Sequence, residues 1–389
     1  MPVSFQQIRQ QIQEKGPAAV RRQAVLEQRI QEAYELLLQY AHEQQALRDL
    51  VFVAQTCNPD LRSAVPGDEP LDQTFPTPEV ADPTVILAAD GSQINPDRHS
   101  QLEFGVINTG IVRFVPGEPP KEIVDSKLML GDELVQESGP LTEEFVALLR
   151  DLNERTALAS QAEKESLPVV TLTDGQLELF HRGEVTKAYD ERFKEYLNAL
   201  QRLCKIQAVT AGYVDRPKGD LVVRLLELTM VGRSELEKIH ILRPLRWVLD
   251  AHLFGRILDP GERSTVFQIQ SKYSGKFPGD LALHFFYINV GDERRDHLAR
   301  VEIPAWVAKN KVLLARLQAA LIAQARPLGS RPYPYAIHRA HEVAVVHQNE
   351  KQQINDMLAQ EFRRLGLEPG DRSNKQIAKD NSGMRTRYP

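Results

Sequence analysis

The sequence predicts an α/β protein: a mixed central sheet flanked by helices, with a helical extension at the amino-terminal end. Two short segments lead to this reading: residues 85–89 are a continuous apolar run, which suits a strand buried on both faces, and residues 167–173, LPVVTLT, read as a second strand of the buried type. Each run ends in Asp-Gly, at Asp90-Gly91 and at Asp174-Gly175. Between and around them, segments of period near 3.6 alternate with β-branched segments, which is how helices and strands share one layered fold.

The bulk composition sets the class of protein. With 389 residues, the chain suffices for about two or three domains and a large core. Its 42% hydrophobic and 26% charged content is that of a globular protein. A net charge of −5 means that no global basic field points to nucleic acid, although a local basic groove is compatible with an acidic total. Cys57 and Cys204 are too few and too far apart for a disulfide framework or a zinc motif. No apolar run approaches the roughly 18 residues of a membrane span, and residues 1–10 lack a signal-peptide core. A cytoplasmic protein without membrane association is expected.

In order, residues 1–57 read as an amphipathic helical region, with Phe5, Ile8 and Ile12 on one face, a break at Gly16-Pro17, then Leu26, Ile30, Ala33 and Leu37. It suits packing on the core or pairing with another subunit. Residues 58–83, crowded with Pro, Asp and Thr and without period, read as a linker or long loop. The strand ending at Asp90 opens a domain over 84–362, and strands over 103–115 and 121–130 continue it as a meander. Residues 142–164 form a helix capped at Thr142. The strand ending at Asp174 comes next, then a helix over 184–203. Residues 208–214 and 221–228 read as two strands joined by a hairpin turn with Arg216 and Lys218 at its tip. A kinked helix over 234–258, strands over 281–290 and 299–303, a helix over 306–325 and a single helical run over 336–365 complete the domain. Residues 363–389 carry seven Lys or Arg against three acids, which predicts a mobile basic tail.

The chemistry rests on where the charged residues fall. Asp90 at the tip of a buried strand is either a turn residue or a rigidly held metal ligand. Asp174 on a matching strand favours the second reading. The order of strand with Asp, two meander strands, helix with Glu, strand with Asp and late helix with His matches a ribonuclease H-like arrangement. Carboxylates so converged suit two divalent cations, which activate water and stabilise the leaving oxygen of a phosphodiester. An imidazole ligand favours Mn²⁺ over Mg²⁺. Glu154 is the chosen helical acid, in competition with Glu143, Glu144 and Glu163, and its i,i+4 spacing from Arg150 also suits a surface salt bridge. His341 is read as a ligand, as half of a two-His site with His338, or as a core histidine.

Five motifs in order, DGS at 90–92, LTDGQL at 172–177, AGYVDRP at 211–217, RVEIP at 300–304 and PYPYAIHRAH at 332–341, resemble the NurA nuclease family over roughly residues 84–350. The resemblance implies an RNase H-like core, a homodimer, and Mn²⁺-dependent cleavage of DNA as a single-strand endonuclease and 5′-to-3′ exonuclease. It also implies work with a hexameric HerA translocase in the resection of double-strand break ends. Carried onto this sequence, it makes Asp90, Asp174 and His341 metal ligands with Glu154. Tyr333 becomes the aromatic companion of the histidine and, with Arg216 and Lys218, a DNA contact. Glu302 in RVEIP is a further candidate acid, or the strand-end partner of Arg300. The chain departs from the family pattern at Gln176, where a small polar residue is commoner, and at Asp215, where a basic residue is expected. The rival readings are a non-catalytic RNase H-like repair scaffold that binds a motor protein, and a phosphoesterase acting on nucleotides.

Overall fold

A computed structural model describes residues 3–80, 82–97, 102–136, 139–179, 186–239 and 241–367. The predicted basic tail falls almost wholly outside the described residues. The chain forms two compact units, one from residues 1–80, 175–178 and 212–332, the other from 81–174, 179–211 and 333 onward. The single domain expected over 84–362 therefore contributes to both.

The second unit carries the predicted meander. Strand β1 (Val85–Ile94) runs antiparallel to β2 (Gly105–Phe114), which runs antiparallel to β3 (Lys121–Met129). Helix α1 (Glu143–Ala162) then leads to β4 (Val169–Asp174), which lies parallel to β1 with Ala89 opposite Thr173. Helix α2 (Lys187–Lys205) follows and leads to β5 (Val209–Asp215), the next strand after β4. The resulting spatial order, 5-4-1-2-3, with one antiparallel meander and one parallel crossover, is the mixed sheet of an RNase H-like fold. Helices α3 (Tyr335–Ala344) and α4 (Gln348–Arg364) close the unit. The run expected as one helix over 336–365 is thus two, because Val345 and His347 adopt extended backbone and Glu350 caps the second helix from within.

Residues Val85 to Ala89 are buried without exception, as their unbroken apolar pattern requires. Helix α1 starts where Thr142 accepts a hydrogen bond from the Phe145 N–H at 3.2 Å. The side chains of a strand alternate between faces, so Asp90 and its partner Gly110 share one face while Gly91 turns to the other. Ala340 and Ala344 of α3 lie over Gly110, and Arg150 and Glu154 of α1 lie over Gly91. The two helices therefore cover opposite faces of β1 and β2.

The first unit begins with helices Phe5–Gln39 and Gln44–Cys57. The expected break at Gly16-Pro17 does not occur: the first helix runs through Pro17. Residues 58–83 are not a structureless linker. Ser63–Pro66 pairs with Phe267–Gln270 as a strand, and Leu61, Ala64 and Leu71 are buried, so tertiary pairing overrides a locally aperiodic sequence. Leu283–Asn289, Leu298–Pro304 and the last residues of β5 extend this antiparallel sheet. Phe254, Phe267, Phe285 and Tyr287 pack around it, with ring centroids 4.6 Å apart for Phe254 and Tyr287. Residues 221–228, expected as a strand, belong to the helix Leu221–Met230. Its residues from Leu221 to Leu228 are all buried, the ion-paired Arg224 and Glu227 included, so no exposed polar face marks a helical period against a strand. The long helix expected over 234–258 is reduced to short turns at Arg233–Lys238 and Asp250–Phe254, separated by Pro244 and by Trp247 in left-handed backbone.

Candidate active site

Asp90 stands at the point where β1 emerges from the core. Its Oδ1 accepts from the Gly91 N–H at 2.9 Å, and its Oδ2 lies 2.7 Å from Nδ1 of His341. His341 reaches it because α3 is clamped onto the sheet. The Asn108 Nδ2 donates to the Ala344 carbonyl at 2.8 Å, Ser92 Oγ donates to the same oxygen, and Gly110 leaves no side chain in the way. Asn108 is itself oriented by Ser126, whose hydroxyl donates to Asn108 Oδ1 at 2.6 Å. The histidine side chain is 65% exposed, so it is a surface-facing imidazole rather than a core residue. His338 turns instead towards Glu342 at 3.6 Å, which separates the two histidines.

Asp174 ends β4, one residue beyond Thr173, just as Asp90 follows Ala89 on the parallel neighbour. The strand expected to end at Asp90 runs on four residues to Ile94, because residues 91–94 stay paired with β2. Asp90 therefore stands within β1 while Asp174 ends β4, and the parallel register puts the two carboxylates on the same face. The Tyr333 hydroxyl donates to Asp174 Oδ1 at 2.9 Å, placing this aromatic residue against an acid of the site.

Glu154 differs from the other three. It is 7% exposed and approaches from the opposite face, where a side chain on Gly91 would meet Glu154 Oε1 at 2.6 Å. Arg150 Nε lies 3.5 Å from it, so the i,i+4 ion pair exists, but beneath the surface. Burial raises the Glu154 carboxyl well above its ordinary range; Asp151 and Asp90 add to the rise, and Arg150 and Arg155 oppose it. Asp151 is also raised, first by burial. Arg155, 3% exposed, donates to Thr173 Oγ1 at 2.9 Å and fixes the residue before Asp174 from below. The competing acids stand elsewhere: Glu163 pairs with Arg202 at 2.7 Å, and Glu143 and Glu144 are exposed in the first turn.

Among the described residues, no group of three or more His, Cys, Asp or Glu side chains is close enough to hold one metal ion. Each acid is instead engaged by a neighbour: Asp90 by His341, Asp174 by Tyr333, Glu154 by Arg150. The donor chemistry still suits a divalent cation. Asp90 and His341 bring a hard carboxylate oxygen and an imidazole nitrogen to one point, with a second carboxylate on the adjoining strand.

The remaining candidates lie in the other unit. Glu302 is fully buried; Arg300 donates to its Oε1 at 2.7 Å and the Leu177 N–H to its Oε2 at 2.9 Å. It anchors the segment that follows Asp174 and the guanidinium beside it. Arg216 and Lys218 are exposed, in the loop between β5 and the helix Leu221–Met230, with Arg216 at a φ of 43°. Asp215 pairs with His297 at 2.6 Å. Sequence reasoning did not find Asn108, Ser92, Gly110 or Arg155. The only local signals were a glycine and two small polar residues inside strands, where apolar residues are the rule.

A family model described as the NurA domain matches residues 84–346. No curated protein sequence matches the chain. Among solved structures, the chain is similar to the NurA nuclease from Sulfolobus solfataricus at 11% identity, with a TM-score of 0.49 over 75% of this chain and 87% of that one. It is also similar to the catalytic domain of human Endonuclease V, at 15% identity and a TM-score of 0.31 over 81% of this chain and 98% of that one. Ciona intestinalis Endonuclease V in complex with an inosine-containing DNA gives 14% identity and a TM-score of 0.30 over 82% and 99%. The family match takes in β1 to β5, α1 to α3 and every candidate acid of the site. The chain belongs to the NurA nuclease family.

Proposed function

We propose that this protein hydrolyses DNA phosphodiesters with divalent cations, Mn²⁺ rather than Mg²⁺, two ions being held by Asp90, Asp174 and His341, with Glu154 as the acid beneath them. The observation that carries the reading is the Asp90–His341 contact at 2.7 Å, beside the strand that delivers Asp174 to the same face. Bound cations would supply an activated water and charge compensation for the leaving oxygen. The chain's own contribution is positioning. Asp90 orients the His341 ring, Tyr333 holds Asp174, and α3 carries His341 at a height set by Ser92, Asn108 and Gly110. Glu154 contributes a buried negative charge beneath Gly91, for which Arg150 and Arg155 are the counter-charges.

In this reading the substrates are single-stranded DNA and duplex ends, cleaved endonucleolytically and 5′-to-3′ from the end, in the resection of double-strand breaks in the cytoplasm. The chain would act as a homodimer with a HerA-type hexameric translocase. Family membership supports these assignments, and the exposed Phe5, Ile8 and Ile12 of the first helix suit a subunit contact. No helix among the described residues is long and apolar enough to cross a membrane.

The test is cleavage of labelled single-stranded DNA with Mn²⁺. Asp90→Asn should reduce the rate by about 100-fold or more while leaving the melting curve in place. His341→Ala should weaken Mn²⁺ affinity as well as rate. Retained Mn²⁺-dependent cleavage by Asp90→Asn rejects the site assignment. A wild-type chain that binds DNA and cleaves neither DNA nor nucleotides with any divalent cation supports the scaffold reading instead.

A further inference from the structure

Trp247 sits in the first unit in left-handed backbone, at a φ of 77°, a conformation that is unfavourable for a bulky residue. Its side chain is nonetheless 38% exposed rather than packed away. Three guanidiniums gather around its ring: Arg22 at 4.5 Å from the centroid, Arg29 at 5.1 Å and Arg246 at 5.4 Å. Arg29 also donates to the Arg246 carbonyl at 3.1 Å, which ties the first helix to this loop.

No carboxylate lies within ion-pair distance of any of these three arginines among the described residues. Three of the four acids of the same helix are turned elsewhere, Glu14 to Gln10, Glu27 to Gln23 and Glu35 to Gln31, and the fourth, Glu32, is exposed and forms no ion pair with the cluster. An indole holds a guanidinium through the charge distribution of its ring and, unlike a carboxylate, leaves the positive charge uncancelled. The distances to the ring place no two of the guanidinium carbons more than about 10.5 Å apart, close to one Debye length at about 0.1 M salt, so they act as a single field. Lys15, at the same seven-residue spacing before Arg22 as Arg22 has before Arg29, continues the basic stripe along the helix. In a chain of net charge −5, this is a local concentration of unneutralised cations around a partly exposed aromatic.

We infer that Trp247 with Arg22, Arg29 and Arg246 forms a binding platform for the backbone of single-stranded DNA, separate in its residues from the catalytic acids. Guanidiniums take the phosphates, and the exposed part of the indole offers a surface to a base, the combination that serves single-strand binding without sequence preference. The choice of DNA over an acidic protein segment rests on the DNA-cleaving function proposed above.

Binding is measured on the full chain, without divalent cations so that nothing is cleaved, by fluorescence anisotropy of a labelled oligothymidylate across a salt series. Each neutralised phosphate of a single strand contributes about 0.7 to the slope of log K against log salt. The variant R22Q/R29Q/R246Q should therefore bind more weakly, with a slope shallower by about 2. Trp247→Ala should shift affinity in the same direction by freeing the guanidiniums. Arg22→Gln alone, on an exposed helical position, should lower the slope by about 0.7, and it serves if the triple variant does not fold. Unchanged affinity and slope together with a lower melting temperature mean that the cluster only tethers the helix, and overturn the inference. Competition by polyglutamate as effective as that by DNA assigns the platform to an acidic partner and overturns it too. A wild-type chain that shows this binding but no Mn²⁺-dependent cleavage overturns the nuclease reading and leaves the platform standing.

Discussion

Gly110→Ala tests how α3 presents His341. The backbone at Gly110 is ordinary strand, so the cost is steric and not conformational. A Cβ there would lie 2.6 Å from the Ala340 carbonyl oxygen, 2.7 Å from the Ala344 nitrogen and 3.0 Å from the Val343 carbonyl carbon. All three are main-chain atoms of α3 and its end, so no rotamer change relieves the overlap. Restoring an ordinary contact of 3.4 Å requires the helix to retreat by about 0.8 Å. That retreat stretches the Asn108 and Ser92 bonds to the Ala344 carbonyl and lifts His341 from Asp90. Overpacking of this kind costs about 1–3 kcal/mol of stability. Misplacement of a reacting group by nearly 1 Å costs between about 10- and 100-fold in rate. The expected outcome is a folded protein with a lowered melting temperature and Mn²⁺-dependent cleavage of single-stranded DNA down by that factor. Wild-type cleavage and wild-type Mn²⁺ affinity in a folded Gly110→Ala variant would refute the claim that the seating of α3 governs the site. The same substitution at Gly91 is a less clean probe, because its first contact is the flexible Arg150 side chain.

Further outcomes follow from the buried charges. Asp250 accepts from the Val222 and Val223 N–H groups and from the Tyr287 hydroxyl, yet burial dominates and pushes its carboxyl up to about 7 from 3.8. A raised carboxyl favours the folded state while it is protonated, so its contribution is full below pH 3.8 and is lost as pH rises through about 7. Between those values it lowers stability by at most about 1.4 kcal/mol per pH unit; urea midpoints should fall more steeply with pH in wild type than in Asp250→Asn, and parallel curves would reject the assignment. Glu302→Ala strands the buried Arg300 guanidinium and should cost about 3–5 kcal/mol in denaturant unfolding. The milder Glu302→Gln should leave Mn²⁺ affinity unchanged, whereas lost affinity would restore Glu302 as a site acid.

What the sequence made legible is what chain-local physics encodes. Residues 85–89 are apolar without interruption and 169–173 are buried throughout because both faces of those strands are covered, so their strand character showed through, whereas their parallel pairing came only from the fold. The helix capped at Thr142 was legible for the same kind of reason, a side chain satisfying an N–H three residues on. Local reasoning failed where the deciding partner is distant in the chain. Residues 221–228 became a helix buried all round, with Asp250 accepting its first N–H groups from 28 residues away. The Pro-rich stretch after residue 58 became a strand because Phe267–Gln270 supplied its hydrogen bonds.

The site divides along the same line. Asp90 and Asp174 could be located from sequence, since a carboxylate directly after a buried run is a statement about neighbouring residues, although β1 continues past Asp90 to Ile94. Which face each acid occupies, and what engages it, could not. The alternation of β1 put Glu154 beneath Gly91, opposite Asp90, and only the stacking of α1 and α3 on the two faces decided that. The contacts that seat His341, from Asn108 and Ser92 to a carbonyl more than 230 residues later, leave no periodic trace, because a hydrogen bond across that separation depends on where packing brings the backbone. Local pattern determined the two buried strands, the Thr142 cap and the acids that follow each buried run. Tertiary packing alone determined which of those acids meet and which helix holds the histidine above them.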